Sequence, residues 1–308
     1  MIFNSLRVYI TEQCNANCPS CFNKSNRSKL SMDIEHFKKI CTFFSSNGVK
    51  RIKIMGGEPT LHPDFDVLMT LAQNSFQQVF LFTNAINDGI LNFKPRESDS
   101  VVYNFTFHKL WDNKKLLLDK LGKRAFEIQI KYNTNIEEVI SYLKSLNNKS
   151  IYSVITLDCT SNIFEHREIL KEKINKLQEF LIKNEYKASM DHRIPLCFLY
   201  NSNIIVPTSN FSICSLECSS LIDASYNLRF CNQSNKTLLN IFDNNEIIPF
   251  QLIENALIKE FYTRQLDNLN KICSSCVFYS TKCNGGCFIN NNEISKASII
   301  SSTEFPTL

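Results

Sequence analysis

TEQCNANCPSC, residues 11–21, is the most informative stretch of this chain. It places Cys14, Cys18 and Cys21 in a C-x3-C-x2-C spacing. Three thiolates this close in sequence can hold three corners of one iron–sulfur cluster, because Cys thiolate is the usual ligand of such clusters. A cluster of about four irons with three local cysteines leaves one iron open, and an open metal position is typical of catalytic sites. The spacing alone also fits free thiols or half of a zinc site.

A glycine pair opens the second motif, Gly56-Gly57-Glu58-Pro59, which follows a short alternating run at 51–55. Only 7 of the 308 residues are Gly, against a usual share of about 7%. A chain this sparing with glycine uses it where the backbone approaches something closely or takes a positive φ. The pair therefore predicts a tight turn at a functional surface, since a plain strand-to-helix connection needs only one glycine.

Together these two motifs resemble the signature of the radical SAM superfamily. The resemblance implies a 4Fe-4S cluster on the three cysteines and S-adenosylmethionine (SAM) on its open iron. The SAM-binding residues that it implies are Gly56, Gly57, Glu58 and Pro59, whose backbone contacts the SAM amino group. It further implies reductive cleavage of SAM to methionine and a 5′-deoxyadenosyl radical, which abstracts hydrogen from a substrate. One position departs from the family pattern, because the aromatic residue usual before the third cysteine is Ser20 here and Phe22 follows instead.

Strand-like and helix-like runs alternate along the first half of the chain. Strands are predicted at 6–10, 51–55, 79–82, 101–106, 126–130 and 152–157. A helix capped by Ser31 follows the first strand, and its predicted apolar face comprises Phe37, Ile40, Cys41 and Phe44. A long helix at 165–183 follows the last strand. The inward residues predicted for that long helix are Ile169, Leu170, Ile174, Leu177 and Leu181. Because parallel neighbours need crossover helices, this order predicts an α/β fold with a parallel sheet.

The radical SAM resemblance narrows this fold to a partial (β/α)6 TIM barrel over residues 1–185. Both motifs follow predicted strands, and barrel enzymes keep their active sites at the C-terminal ends of their strands. We expect the other strand ends, near Asn84, Phe107, Lys131 and Asp158, at the same mouth.

A second group of cysteines lies in residues 186–308, where the regular alternation stops. Its members are Cys197, Cys214, Cys218, Cys231, Cys273, Cys276, Cys283 and Cys287. The interval between Cys218 and Cys231 predicts a small hairpin. We expect residues 186–308 to form a separate, cysteine-rich α+β domain.

The layout of this second group resembles the SPASM domain, or its shorter relative, the twitch domain, which carry auxiliary 4Fe-4S clusters. By the family's rule one auxiliary cluster is held by Cys214, Cys218, Cys231 and Cys287. A second is held by Cys273, Cys276 and Cys283, with a non-Cys ligand, an open iron or Cys197 completing it. Three features depart from the family: the central gap has six residues instead of five, no cysteine follows Cys287, and the hairpin glycine is absent.

A zinc ribbon is the alternative reading of the same cysteines. Four thiolates at Cys273, Cys276, Cys283 and Cys287 suit one structural zinc ion. The spacing leaves both readings open, and it leaves the number of auxiliary clusters at one or two.

Bulk composition excludes several classes of partner. The net charge of +4 is mild and the lysines are dispersed, so the chain does not read as a nucleic-acid binder. It contains no apolar run of about 20 residues, so no membrane span is predicted. Thirteen cysteines in a chain without a signal peptide indicate metal binding or catalysis in a reducing cytoplasm.

The SPASM/twitch resemblance implies a peptide or protein substrate, modified by crosslinking, epimerisation or side-chain oxidation. The alternative is a small-molecule biosynthetic intermediate. An electron donor such as flavodoxin or ferredoxin is implied by the reductive chemistry. The cluster motif begins at Cys14, so we expect no N-terminal leader-binding domain and, for a leader peptide, a separate binding protein. No side chain is assigned as the catalytic acid or hydrogen donor.

Overall fold

The structure, a computed structural model, describes residues 4–18, 21, 27–104, 124–130, 133–145, 152–157, 166–190, 220–232, 234 and 236–267. The strands in these ranges are β1 (Ser5–Thr11), β2 (Arg51–Gly56), β3 (Gln78–Thr83), β4 (Ser100–Asn104), β5 (Arg124–Ile130), β6 (Tyr152–Leu157), β7 (Lys187–Met190), β8 (Leu221–Ile222), β9 (Asn227–Arg229), β10 (Thr237–Asn240), β11 (Phe242–Asp243) and β12 (Glu246–Ile247). The helices are α1 (Ile34–Ser46), α2 (Phe65–Ser75), α3 (Ile136–Ser145), α4 (Arg167–Lys183) and α5 (Phe250–Asp267). Short 3-10 turns span Pro59–Leu61 and Asp88–Asn92. Among the helices in these ranges, none has the length and apolar character that crossing a membrane requires.

Most of the described strands belong to one sheet in the order β10-β9-β8-β1-β2-β3-β4-β5-β6-β7. Strands β1 to β7 pair in parallel. Parallel neighbours need crossover connections, and α1, α2, α3 and α4 lie in those that follow β1, β2, β5 and β6. The predicted α/β fold is therefore confirmed. Strand β7 is a seventh parallel strand that the sequence pattern did not predict, and it continues the sheet past residue 185. The division into domains at that residue stays a prediction.

Strand β1 is an interior strand, with β2 on one side and β8 on the other. Leu6, Val8 and Ile10 are fully buried on one face, and Tyr9 is buried on the other. Parallel strands covered on both faces show such near-continuous apolar runs. Full burial of an aliphatic side chain stabilises the fold by about 1.5–3 kcal/mol, so β1 is a firm base for the cysteine loop that follows it.

Helix α1 begins two residues later than predicted. Its N-cap is Asp33, whose Oδ1 accepts the His36 N–H at 2.9 Å, and not Ser31. Ser31 instead forms a β-bridge with Thr11, and the hydroxyl oxygens of the two residues lie 2.9 Å apart. The predicted apolar face of the helix is confirmed, and its buried members are Phe37, Ile40, Cys41 and Phe44.

One predicted inward position of α4 was wrong. Ile169 is 47% exposed, whereas the other four predicted residues, Leu170, Ile174, Leu177 and Leu181, are buried. The buried residues follow steps of four, three and four, which keep one face of the helix toward the sheet. Ile169 precedes this series by one residue and so points about 100° away from it.

The predicted hairpin between Cys218 and Cys231 is confirmed by the antiparallel pair β8 and β9. Tyr226, in its turn, takes the positive φ of 66° for which glycine is the usual residue. The hairpin adds to the barrel sheet because β8 pairs in parallel with β1. Arg7 N–H donates to Ser220 O at 3.0 Å, and Ser220 Oγ donates to Ser5 O at 3.1 Å.

Helix α1 holds the tip of the hairpin through a small aromatic cluster. The Tyr226 hydroxyl donates to Asp33 Oδ2 at 2.5 Å. The His36 ring stacks on Tyr226 with centroids 4.7 Å apart and meets Phe242 edge-on at 4.6 Å. The N-cap of α1 therefore also anchors the hairpin.

Candidate metal centre and cofactor site

The loop after β1 brings the three motif cysteines together. Cys14, Cys18 and Cys21 are half-buried. The Cys21 N–H donates to Cys18 O at 3.3 Å, and the Cys18 and Cys21 side chains are hydrogen-bonded. Burial raises the pKa of the Cys14 thiol, while the hydrogen bond with Cys21, followed by burial, raises that of Cys18. A metal bound by these thiols would therefore displace their protons.

Cys14, Cys18 and Cys21 give the loop three thiol donors. Within the described ranges, no three His, Cys, Asp or Glu side chains converge as ligands of one metal ion. Cys thiolate is the usual ligand of iron–sulfur clusters. An all-thiol donor set on one loop fits the group that the sequence implies.

The two ends of the cysteine loop are tied to each other. Thr11 Oγ1 donates to Leu30 O at 3.1 Å, and Gln13 Nε2 donates to Lys29 O at 3.1 Å. The backbone N–H of Glu12 donates to Leu30 O at 2.9 Å. These bonds close the loop at its base, so that the cysteines between 13 and 28 extend from a fixed frame.

The glycine pair packs directly on the base of that loop. Gly57 N–H donates to Thr11 O at 2.8 Å, and Glu58 N–H donates to Gln13 O at 2.7 Å. Gly56 has a φ of +150°, and a Cβ on it would lie 2.3 Å from Thr11 O. A Cβ on Gly57 would lie 2.1 Å from Gln13 O. Only glycine allows this approach, which places the second motif beside the first.

Glu58 is turned into the protein. The carboxylate is 1% exposed, and its Oε1 accepts the hydroxyls of Thr60 and Thr83, each at 2.7 Å. Its Oε2 accepts the backbone N–H of Asn84 at 2.7 Å. Burial raises the pKa of Glu58, while these hydrogen bonds act in the opposite direction. The Glu58 side chain thus joins the ends of β2 and β3. The contact of this motif's backbone with SAM stays a prediction.

Asn84 connects that junction to the cysteines. It follows β3, one of the strand ends expected at the mouth, and its Nδ2 donates to Cys14 Sγ at 3.9 Å and to Asn15 Oδ1 at 2.9 Å. Its Oδ1 accepts the Ile86 N–H at 2.8 Å. The sequence signalled only its position after a strand. The other expected strand ends, Phe107, Lys131 and Asp158, lie outside the described residues.

Arg27 brings a positive charge to the same loop, a role that the sequence did not reveal. Its side chain is hydrogen-bonded to Cys21. Burial lowers the pKa of Arg27, while its hydrogen bond to Cys21 and the nearness of the three cysteines raise it, and the net shift is upward. The guanidinium is therefore charged. Its Nε and Nη2 are buried and have no hydrogen-bond partner among the described residues. Buried, unused donors beside three thiols suit a negatively charged group in the site.

His62, which follows the second motif, has a structural role. It is 4% exposed. Its Nδ1 accepts the Asp64 N–H at 3.0 Å, so its Nε2 carries the proton and donates to Met32 O at 2.7 Å. The ring joins the start of α2 to the residue just before α1 and is not available as a ligand.

Of the second cysteine group, the structure describes Cys231 alone. Its half-buried side chain packs against the core beside the hairpin. Burial raises the pKa of the Tyr9 hydroxyl, and Cys231 and Cys21 act on it in the same direction, so both cysteines lie near this one side chain. The remaining predicted ligands lie outside the described residues: Cys197, Cys214, Cys218, Cys273, Cys276, Cys283 and Cys287. The auxiliary clusters therefore stay a prediction.

Comparison with known families identifies the segment that carries both motifs. Residues 8–97 match the model of the radical SAM superfamily. This segment contains most of β1, the cysteine loop, the glycine pair and Asn84. The contacts between the cysteine loop and the glycine pair described above lie within it.

Curated relatives resemble part of the chain. Over 86 residues the chain is 34% identical to the GTP 3',8-cyclase of Pasteurella multocida, covering 26% of this chain and 25% of that protein. Over 76 residues it is 33% identical to the antilisterial bacteriocin subtilosin biosynthesis protein AlbA of Bacillus subtilis, covering 24% of this chain and 17% of AlbA. The chain thus spans less than half of the length of these curated relatives.

Solved structures resemble a larger part of the fold. Streptococcus suis SuiB bound to the precursor peptide SuiA superposes with a TM-score of 0.69 and 17% identity, covering 98% of this chain and 75% of SuiB. Native anSMEcpe with bound AdoMet and Kp18Cys peptide gives a TM-score of 0.67 at 16% identity, covering 92% of this chain and 88% of that one. At these identities the likeness shows that the fold is shared.

Proposed function

We propose, from the radical SAM domain that the chain carries in residues 8–97, that this enzyme holds a 4Fe-4S cluster on Cys14, Cys18 and Cys21. Bound SAM is cleaved reductively there, and the resulting 5′-deoxyadenosyl radical modifies a peptide or protein. The backbone of Gly56, Gly57, Glu58 and Pro59 binds SAM. These site assignments rest on the motifs and on the geometry of the loop.

The packing of the glycine pair on the cysteine loop is the observation that supports this function best. The backbone of the second motif lies against residues 11–13, directly before the first cysteine. A structural thiol site does not need such an approach. A bound cluster would supply one-electron transfer to SAM, and the protein orients the two partners. Thr11 and Gln13 fix the loop, and Glu58 and Asn84 fix the neighbouring strand ends.

A peptide substrate is favoured because solved structures that share this fold contain bound peptides. SuiB is solved with a precursor peptide, and anSMEcpe with a peptide and AdoMet. AlbA takes part in the biosynthesis of the bacteriocin subtilosin. We infer that the enzyme crosslinks a peptide, epimerises it or oxidises one of its side chains. A donor such as flavodoxin or ferredoxin reduces the cluster in the cytoplasm.

A small-molecule substrate is the second candidate, and one observation favours it. The relative with 34% identity is a GTP 3',8-cyclase, whose name states a small-molecule reaction. That similarity covers 26% of this chain, so it does not by itself identify the substrate.

The C-terminal cysteines are proposed to form a SPASM/twitch-like domain over residues 186–308. We assign Cys214, Cys218, Cys231 and Cys287 to one auxiliary cluster, and Cys273, Cys276 and Cys283 to a second. Support comes from the hairpin that carries Cys231 and from its pairing with β1, which brings Cys231 and Cys21 near the same Tyr9. One structural zinc is the competing assignment.

Cleavage of SAM tests the central proposal. Anaerobically reconstituted protein, given dithionite and SAM, should form 5′-deoxyadenosine, and the triple variant Cys14→Ala, Cys18→Ala, Cys21→Ala should form none. Cys41→Ala is the matched control, because Cys41 is buried in the core face of α1 and should leave cluster and product unchanged. Absence of product from protein with an intact cluster would sink the proposal.

The metal content of the triple variant tests the auxiliary clusters. About eight irons with matching sulfide would mean two auxiliary clusters, and about four would mean one. About one zinc without iron would replace this assignment by a zinc ribbon.

Substrate class is decided by which compound is consumed. Short peptides encoded beside the gene and GTP should be offered separately to the reconstituted enzyme with SAM and dithionite. A peptide whose mass changes by a crosslink or by loss of hydrogen supports the maturase. Conversion of GTP, with every peptide unchanged, favours the second candidate.

A further inference from the structure

Two side chains outside both motifs touch sulfurs of the cysteine loop. Asn84 Nδ2 donates to Cys14 Sγ at 3.9 Å, and the Arg27 side chain is hydrogen-bonded to Cys21. Neither residue belongs to the C-x3-C-x2-C spacing or to the glycine motif. Each therefore needs its own explanation.

The orientation of the Asn84 amide is determined by its neighbours. Its backbone N–H is held by Glu58 Oε2 at 2.7 Å, which fixes the position of the residue. The Ile86 N–H can bond only to an acceptor, so it fixes Oδ1 on its own side at 2.8 Å. The amide NH2 must then face Cys14 and Asn15. The protein thus presents a hydrogen-bond donor to this sulfur.

The side chain of Arg27 lies against the same cysteine loop, where it is hydrogen-bonded to Cys21. The carboxylate of Glu12 accepts the hydroxyl of Ser28, the residue next to Arg27, at 2.5 Å. Two nitrogens of the guanidinium, Nε and Nη2, are buried without a partner among the described residues. Buried donor nitrogens without an acceptor cost free energy, and an anion at the site would relieve that cost.

We propose that Asn84 and Arg27 are positioning residues that raise the reduction potential of the cluster held by Cys14, Cys18 and Cys21. Adding an electron makes a cluster more negative, and donors and positive charge beside its sulfurs favour that state. Hydrogen bonds to ligating atoms tune metal sites in the same way. This inference rests on the proposed function, because it requires the cluster.

The test is a potentiometric titration followed by electron paramagnetic resonance, without SAM. The protein is the full chain with its cluster reconstituted, and the electrons come from an electrode through low-potential mediators. Asn84→Leu and Arg27→Met should each shift the midpoint potential to a more negative value. At the potential that half-reduces the parent, clearly less than half of each variant's cluster should be reduced. Arg27→Lys, which keeps the charge, should recover part of the shift.

Two control variants match these changes closely. Asn87→Leu removes a similar amide, which bonds Thr60 O and Gly89 N–H but no cysteine. Lys29→Met removes an exposed positive charge two residues from Arg27. Both controls should keep the potential of the parent.

Each result of this titration has a definite meaning. An intact cluster with the parent potential in both Asn84→Leu and Arg27→Met overturns this inference and leaves the proposed function standing. Equal shifts in the controls overturn it as well, because they show a general effect of the loop. If Arg27→Met loses iron, Arg27→Gln replaces it, and an unshifted potential there counts against Arg27. A parent chain that takes up no cluster contradicts the proposed function and this inference together.

Discussion

Glu58 and Asn84 join the ends of neighbouring strands, since Glu58 Oε2 accepts the backbone N–H of Asn84 at 2.7 Å. Glu58 follows β2 and Asn84 follows β3. The amide of Asn84 then reaches Cys14. The buried Glu58 carboxylate therefore fixes the position of Asn84, whose amide contacts the first cysteine of the loop.

Removing the Glu58 carboxylate should destabilise the protein. Glu58→Ala leaves buried donors at Thr60, Thr83 and Asn84 without an acceptor, and such losses cost about 1–3 kcal/mol for each unpaired group. We expect a fall of about 3 kcal/mol in the free energy of unfolding, measured by urea denaturation. The exposed Glu97→Ala should stay within about 0.5 kcal/mol of the parent. Equal stability of the two variants would show that the Glu58 carboxylate does not stabilise the junction of β2 and β3.

A methyl group on Gly57 should separate the two motifs. The Cβ of Gly57→Ala would lie 2.1 Å from Gln13 O, so the backbone has to move. Gly89→Ala is the matched control, because its Cβ would meet Thr60 O at 3.3 Å, which a small shift relieves. We expect Gly57→Ala to lose SAM binding, measured by equilibrium dialysis, while Gly89→Ala keeps it. SAM binding at the parent affinity in Gly57→Ala would refute the close approach.

Acid should weaken the fold through His62. Burial lowers the pKa of His62, while its hydrogen bond to Met32 O opposes this. An unfolded histidine titrates near pH 6.5. Its contribution to stability is therefore full above about pH 6.5 and declines as pH falls toward the folded pKa, because only the unfolded chain readily takes up the proton. Unfolding in urea at several pH values measures this.

The variant His62→Gln separates this residue from other acid effects. Glutamine offers one donor and one acceptor, as the neutral ring does, but takes up no proton. Its stability should vary less with pH than that of the parent over about pH 5–6.5. An identical pH dependence in both proteins would show that His62 does not contribute to the loss of stability in acid.

The anchor of the hairpin on α1 should loosen in Tyr226→Phe. This variant keeps the ring that stacks on His36 and loses the hydroxyl that donates to Asp33 at 2.5 Å. We expect a loss of about 1 kcal/mol and faster hydrogen exchange of the β8 and β9 amides. Tyr262→Phe changes an exposed ring and should do neither. Unaltered exchange in Tyr226→Phe would mean that the hydroxyl does not hold the hairpin.

The sequence predicts the elements of this fold well because burial repeats with the period of each element. The apolar face of α1 and most of the α4 face were predicted correctly for this reason. The cap of α1 was not, because Ser31 and Asp33 are both good capping residues. The pairing of Ser31 with Thr11, a tertiary contact, decides between them.

The contacts of Asn84 and Arg27 with the cysteines could not be predicted in this way. Asn84 and Cys14 are 70 residues apart, and they meet because β1 and β3 end at the same edge of the sheet. Arg27 stands in no motif spacing, and its role depends on how the loop folds back toward Cys21. The cysteines and glycines were predictable because their spacing itself carries the chemistry.

The parallel pairing of β8 with β1 has a consequence for synthesis of the protein. Ser5 and Ser220, which bond at this seam, are 215 residues apart. A ribosome adding about 5–20 residues per second needs roughly 10–40 s to cover that interval. Throughout it the nascent chain carries an apolar strand with one open edge, a template for pairing with other chains. The first strand to be made is thus among the last to be completed, and the speed of translation sets how long it stays vulnerable.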